Sequence, residues 1–159
     1  GIRNLLVFGE AGAINPGIDV GEILVPTFAI REEGTSYHYF PPEIAVRSSK
    51  KILMGIRGLL NNLGLSYKEG GVWSIDAPFR ETRGKVLRYS SQGVYAVEME
   101  CSALFSIARY RRAKTAAILI ITDTLYGERW KQAFEEPGVI DNERRISEVL
   151  VKHWNKIAC

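Results

Sequence analysis

Residues 95–123 read YAVEMECSALFSIARYRRAKTAAILIITD, and this stretch decides the fold class. Tyr95–Val97 predicts a short strand, with Glu98, Met99 and Glu100 at its passage into a helix that runs to about Ala113. Ala103, Leu104, Ile107 and Ala108 recur at helical spacing and mark that helix's apolar side. Thr115–Thr122 follows as a continuous apolar run of strand length, and Asp123 comes directly after it. An uninterrupted Ala-Ile-Leu-Ile-Ile run suits a strand covered on both faces, as in a parallel sheet. Ligands of open α/β sheets bind just beyond the carboxyl ends of the strands. Asp123 stands at one such end, and Glu98 and Glu100 close another, so this corner is the leading candidate site.

Working outward, Leu5–Phe8 predicts a short strand followed by a Gly9-Glu10-Ala11-Gly12 turn, where glycines let the backbone bend or approach a ligand closely. Val20–Arg31 predicts one long strand or a bent pair, with Pro26 implying an edge or a bulge. Glu32–Pro42 is a loop whose Tyr37, His38, Tyr39 and Phe40 either line a pocket or pack beneath it around a solvated His38. A helix is expected over Glu43–Leu63, because Ile52, Ile56, Leu59, Leu60 and Leu63 form one stripe and Gly64 supplies a stop. Val72–Ile75 predicts a strand closed by Asp76, and residues 76–83 lead into a polar helical stretch. A short helix is expected around Glu128–Phe134, and a last helix capped by Asp141 or Asn142 carries Ile146, Val149, Leu150, His153 and Trp154 on one face.

At 159 residues, one domain spanning 1–159 is expected, with about two-thirds of the unfolded surface buried. The composition, 46% hydrophobic and 25% charged, is that of an ordinary globular chain. The +3 net charge is mild, and the one dense basic cluster, Arg109, Arg111, Arg112 and Lys114, ends a helix where cations suit the dipole. Nucleic acid is therefore not an expected partner. No apolar run reaches the ~20 residues of a membrane span, so no membrane partner is expected either. Cys101 and the terminal Cys159 make neither a disulfide framework nor a metal cluster, and a reducing cytoplasm is the simplest compartment.

Glu10, Asp76 and Asp123 each sit where a predicted strand ends. Converging carboxylates suit metal binding, recognition of sugar hydroxyls or general acid catalysis. Metal is the weakest of these, because no His accompanies them at ligand spacing, and none is expected. Four segments then resemble one family. Gly9-Glu10-Ala11-Gly12-Ala13-Ile14 with Asp19–Val25, and Arg31–Tyr39, are similar to the nucleoside phosphorylases, most closely the uridine phosphorylase branch. Val97-Glu98-Met99-Glu100 resembles that family's ribose motif, and Thr122-Asp123 its base-side motif.

The resemblance implies a phosphorylase-like mixed β-sheet flanked by helices, missing the family's N-terminal segment. It implies a nucleoside and phosphate as partners, phosphate as co-substrate with no other cofactor, and a homo-oligomer, a dimer or a hexamer built of dimers. Glu98, Met99 and Glu100 would hold the ribose, with Met99 packed on the ring and Glu100 accepting hydrogen bonds from its hydroxyls. Asp123 would protonate or hydrogen-bond the leaving base. Gly12 would admit the base, and Phe79 and Arg80 would lie beside it. The pattern also departs from the family: Val7 replaces a phosphate-binding Arg, and Glu10 replaces a small hydroxyl residue on the phosphate or water side. Asp123 is a purine-branch feature in a chain otherwise closer to the uridine branch. The readings are a nucleoside phosphorylase cleaving the N-glycosidic bond, a phosphate-independent nucleosidase, and a non-catalytic member that binds nucleosides or supports an assembly.

Overall fold

A computed structural model describes residues 1–158 of the chain, so Cys159 lies outside the described residues. Its strands are β1 (Asn4–Ala13), β2 (Ile23–Glu32), β3 (Val46–Arg47), β4 (Lys68–Ile75), β5 (Val94–Glu98), β6 (Lys114–Thr124) and β7 (Lys131–Gln132). Its helices are α1 (Lys50–Asn62), α2 (Arg83–Ser90), α3 (Cys101–Tyr110) and α4 (Pro137–Ala158), with 3-10 turns at Thr35–His38 and Pro78–Arg80. The strands form one mixed sheet in the order β3-β2-β4-β5-β1-β6-β7. A further antiparallel pairing of Ile23 and Leu24 with Ile120 and Leu119 joins β2 to β6, so the middle of the sheet curls round and closes.

The run in β6 is apolar throughout because both its faces are covered. Ala116, Ile118 and Ile120 pack with Ile52, Ile56 and Leu60 of α1 and Ile146 and Leu150 of α4. The alternate residues Ala117, Leu119 and Ile121 pack on the other side with Cys101 and Phe105 of α3. A third cluster sets Trp73, Ile75 and Val97 against Val86 and Tyr89 of α2. Burying one such side chain is worth about 1.5–3 kcal/mol, which makes β6 the spine of the core.

Several expectations need correcting. The Gly9–Gly12 segment is no turn: it continues β1, parallel to β6, with an irregularity in the ladder between Ala11 and Gly12. The first long helix starts at Lys50 rather than Glu43, and β3 lies in the intervening stretch. The buried Arg31 guanidinium donates to the carbonyls of Phe40, Pro41 and Ile44 and holds that stretch away from helical geometry. α3 stops at Tyr110, since Arg112 is left-handed (φ 58°) and Ala113 N–H closes back on Ala108 O at 2.8 Å. That is the usual closure of a helix C-terminus, with arginine where glycine is commoner. Around Glu128–Phe134 there is no helix: Lys131 and Gln132 pair with Thr124 and Asp123 as β7. The last helix begins at Pro137, ahead of the expected cap, and Asn142 instead donates its side-chain amide to Gly21 O at 2.8 Å. Pro26 does mark a bulge, between Pro26 and Phe28 in the pairing with β4, and Gly64 does end α1, in the left-handed region at φ 63°.

One edge stays open. β1 pairs with β6 along its whole length but meets β5 only at Gly12 and Ala13. Among the described residues, the stretch Leu5–Glu10 therefore has a strand partner on one side only. Leu5, Leu6 and Phe8 line a trough of about 480 Å³ with Leu150, Val151 and Trp154 of α4.

Candidate active site

The carboxyl end of β1 is where the separate motifs meet. Gly12 pairs with Val97 of β5 on one side and with Asp123 of β6 on the other. Glu98 follows Val97, so the expected sugar-side and base-side carboxylates flank one glycine. A Cβ added at Gly12 would stand 2.8 Å from Asp123 Oδ2 and 2.5 Å from Leu125 Cδ1, closer than real Cβ contacts. Only glycine fits between Asp123 and Leu125 without a shift.

Asp123 is buried on β6. The Trp130 indole N–H donates to its Oδ2 at 2.5 Å, and the Thr122 hydroxyl lies 3.3 Å from Oδ1. Burial pushes its carboxyl above the ordinary aspartate range, and those two donors, which favour the ionised form, pull it partway back. Glu81, just past the Pro78–Arg80 turn, lies within electrostatic reach of Asp123. Burial, and then the charge of Asp123, push the Glu81 carboxyl up to about 7. With its carboxyl pushed up to about 7, Glu81 can hold a proton near neutrality within electrostatic reach of Asp123.

Glu98 is buried and fully engaged. It accepts from the Ser74 hydroxyl, from Glu100 N–H at 2.9 Å and from Cys101 N–H at 2.6 Å. Burial raises its carboxyl and these donors oppose the rise. Met99 and Glu100 emerge from this turn, with Met99 44% exposed and Glu100 open to solvent, so the turn presents them outward. Phe79 and Arg80 lie in the exposed Pro78–Arg80 turn, and Phe79 is 100% exposed. Glu10 is carried elsewhere: it lines a trough against α4 with Phe8, Gly9, Ile140, Glu143 and Arg144. Its partner there is the Glu143 carboxyl, raised by burial and then by the charge and hydrogen bond of Glu10.

In the loop after β2, Tyr39 and Phe40 pack edge-on against Tyr110, at ring distances of 5.3 and 6.3 Å, and His38 is exposed. Glu32 accepts from Lys85 at 2.7 Å, Tyr89 at 2.6 Å and Trp73 at 3.1 Å, which pins α2 and the segment leading into it. Glu81 and Trp130 were not singled out by sequence reasoning as site residues. Both lie in irregular segments, and the nearness of Glu81 to Asp76 in sequence was the one available signal. Trp130 and Phe134 are 58% and 44% exposed.

A family model described as the phosphorylase superfamily matches residues 1–152. The chain is 29% identical over 126 residues to a DeoD-type purine nucleoside phosphorylase of Clostridium novyi, an alignment covering 79% of this chain and 54% of that protein. It is 28% identical over 133 residues to a guanosine phosphorylase of Halorubrum lacusprofundi, covering 84% and 55% of the two. The chain thus spans about half the length of these curated relatives. Among solved structures, uridine phosphorylase from Vibrio fischeri ES114 complexed with 6-hydroxy-1-naphthoic acid superposes with a TM-score of 0.84 at 27% identity. That match covers 97% of this chain and 64% of that one. The P. knowlesi homolog of P. falciparum PNP superposes at 0.81 with 21% identity over 99% and 62% of the two chains, a likeness of fold alone.

Proposed function

Because the chain belongs to the phosphorylase superfamily, we propose that it serves nucleoside phosphorolysis, cleaving the N-glycosidic bond of a ribo- or deoxyribonucleoside to free base and pentose 1-phosphate. The observation that carries this reading is the position of Gly12, with Val97-Glu98 on one flank and Asp123 on the other. A nucleoside laid across that glycine has its sugar beside Met99 and Glu100 and its base beside Asp123. Glu100 accepts hydrogen bonds from the ribose hydroxyls, and Met99 packs on the ring. As the bond from C1′ to the base breaks, its electron pair leaves with the base, which takes a proton from Asp123. The positive charge growing on the sugar is favoured by the nearby carboxylates, and a phosphate oxygen then bonds to C1′. Burial raises the Asp123 carboxyl above the ordinary aspartate range, a shift in the direction that the acid step needs. Phe79 and Arg80 lie on the base side of this arrangement.

A homo-oligomer, a dimer or a hexamer built of dimers, fits the exposure of Phe79 and Trp130 beside the site. A second reading, phosphate-independent hydrolysis, is favoured by one observation. Where the resemblance implies a phosphate-binding Arg and a small hydroxyl residue, the chain carries Val7 and Glu10, and a carboxylate repels phosphate. Incubation with uridine, inosine and methylthioadenosine, with and without phosphate, separates the readings. Cleavage only with phosphate supports the first, and cleavage without it supports the second. If no nucleoside is cleaved under either condition, both fail and a non-catalytic role stands.

A further inference from the structure

The turn that carries Met99 and Glu100 is set by buried groups that touch nothing outside the protein. Ser74, fully buried on β4, donates its hydroxyl to Glu98 Oε1 and accepts Ser102 N–H at 2.8 Å. Glu98 Oε2 takes the N–H groups of Glu100 and Cys101. The donors at the start of α3 are therefore spent on the protein's own groups rather than offered to a bound anion. The bracket reaches further, because the Ser102 hydroxyl donates to Glu33 Oε1 at 2.5 Å and Glu33 Oε2 accepts Ser36 N–H at 2.8 Å. Glu33, Ser102 and Ser36 are all buried. The loop after β2, the end of β4 and the start of α3 are thus one hydrogen-bonded unit, with Ser74 at its centre.

We propose that Ser74 is a positioning residue for sugar recognition: by bridging Glu98 and Ser102 it fixes the Glu98–Cys101 turn and so sets where Glu100 meets the ribose hydroxyls. This rests on the nucleoside reading above, and it adds that discrimination between ribose and 2′-deoxyribose depends on a hydroxyl that never contacts the sugar. Without the Ser74 hydroxyl, Glu98 loses a donor and the Ser102 amide loses its acceptor. The turn then samples other geometries, and Glu100 meets the 2′-hydroxyl for a smaller share of the time.

The test uses Ser74→Ala, with Ser74→Thr as the variant that keeps a hydroxyl, and reads two quantities. Amide exchange in the unliganded protein should quicken about tenfold at Ser102 and Glu100 in Ser74→Ala, the loss of roughly one hydrogen bond, and Ser74→Thr should restore it. Unchanged exchange overturns the bracket, whatever ligand the protein takes. Calorimetric titration with inosine and 2′-deoxyinosine, and with uridine and 2′-deoxyuridine, should show the ribose preference falling several-fold in Ser74→Ala. A preference that survives intact, or a uniform loss for both sugars, overturns the positioning role. If the unsubstituted protein binds none of the four, the nucleoside reading falls together with the sugar half of the proposal, and the exchange measurement alone decides the bracket. Should Ser74→Ala fail to fold, Ser74→Cys, a weaker donor of similar size, is expected to show the same two effects at reduced size, and showing neither overturns the proposal.

Discussion

Gly12→Ala is the sharpest perturbation of the site. The new methyl would lie 2.5 Å from Leu125 Cδ1 and 2.8 and 3.0 Å from the two Asp123 oxygens. Carbon atoms in contact sit about 3.5–4.0 Å apart, so Leu125 or the strand must yield by roughly 1 Å. The Asp123 carboxyl must swing away as well, which strains its bond to Trp130. Overpacking of this kind costs about 1–3 kcal/mol. At this chain length each kcal/mol lowers Tm by about 2–4 °C, so the expected fall is about 2–12 °C. Displacing the acid by about 1 Å should also cost on the order of 100-fold in kcat/KM for any nucleoside that the protein cleaves. Gly9→Ala is the internal control, because a Cβ there meets only Leu119 Cδ2 at 3.9 Å, an ordinary contact in the same strand. Thermal melts of the two variants side by side carry the test. Equal melting temperatures for Gly12→Ala and Gly9→Ala would refute the reasoning, since both are glycine-to-alanine changes in β1 and differ only in what the methyl meets.

Three further outcomes follow from the same geometry. Trp130→Phe removes the indole donor that favours ionised Asp123, so the Asp123 carboxyl should titrate at higher pH, read by carbon NMR of the side chain; a downward move would show that the bond does not govern it. Glu81, raised to about 7 from an ordinary 4.5, is penalised when ionised in the folded state, so its contribution to stability declines as pH rises from about 4.5 through 7. Glu81→Gln should therefore melt close to the parent at pH 5 and above it at pH 8, and a gap independent of pH would remove the carboxyl pair from the account. Arg31→Met leaves the carbonyls of Phe40, Pro41 and Ile44 without their donor and should cost about 2–4 kcal/mol in denaturant unfolding, with early proteolysis within residues 35–44; cleavage elsewhere would speak against that role.

How much could be read beforehand depended on how local the cause was. The β6 run announced itself because alternate residues meet two different helical layers, which leaves no polar position between Thr115 and Thr122. The Glu98–Glu100 turn was legible as the junction of a strand and a helix, and the four resembling segments carried the family. The first-strand glycines misled because glycine reads as a turn signal, whereas Gly12 is needed for the close approach of Asp123 inside a strand. The start of α1 was misplaced because the side chain of Arg31, in the preceding strand, claims the carbonyls of Phe40, Pro41 and Ile44. Glu81 and Trp130 come from segments without periodicity, and their partnership with Asp123 exists only in three dimensions.

The half-paired first strand has a colloidal consequence. Between Arg3 and Glu10 the chain reads Asn-Leu-Leu-Val-Phe-Gly, with no charge and no proline, and its outer edge is unpaired along Leu5–Glu10 among the described residues. Short uncharged apolar strands with a free edge are templates for cross-β growth. Arg3 and Glu10 therefore stand as gatekeepers at either end of the segment, and neutralising either one should shorten the time to turbidity at high protein concentration. Glu10, at the end of that edge, is thus expected to slow self-association.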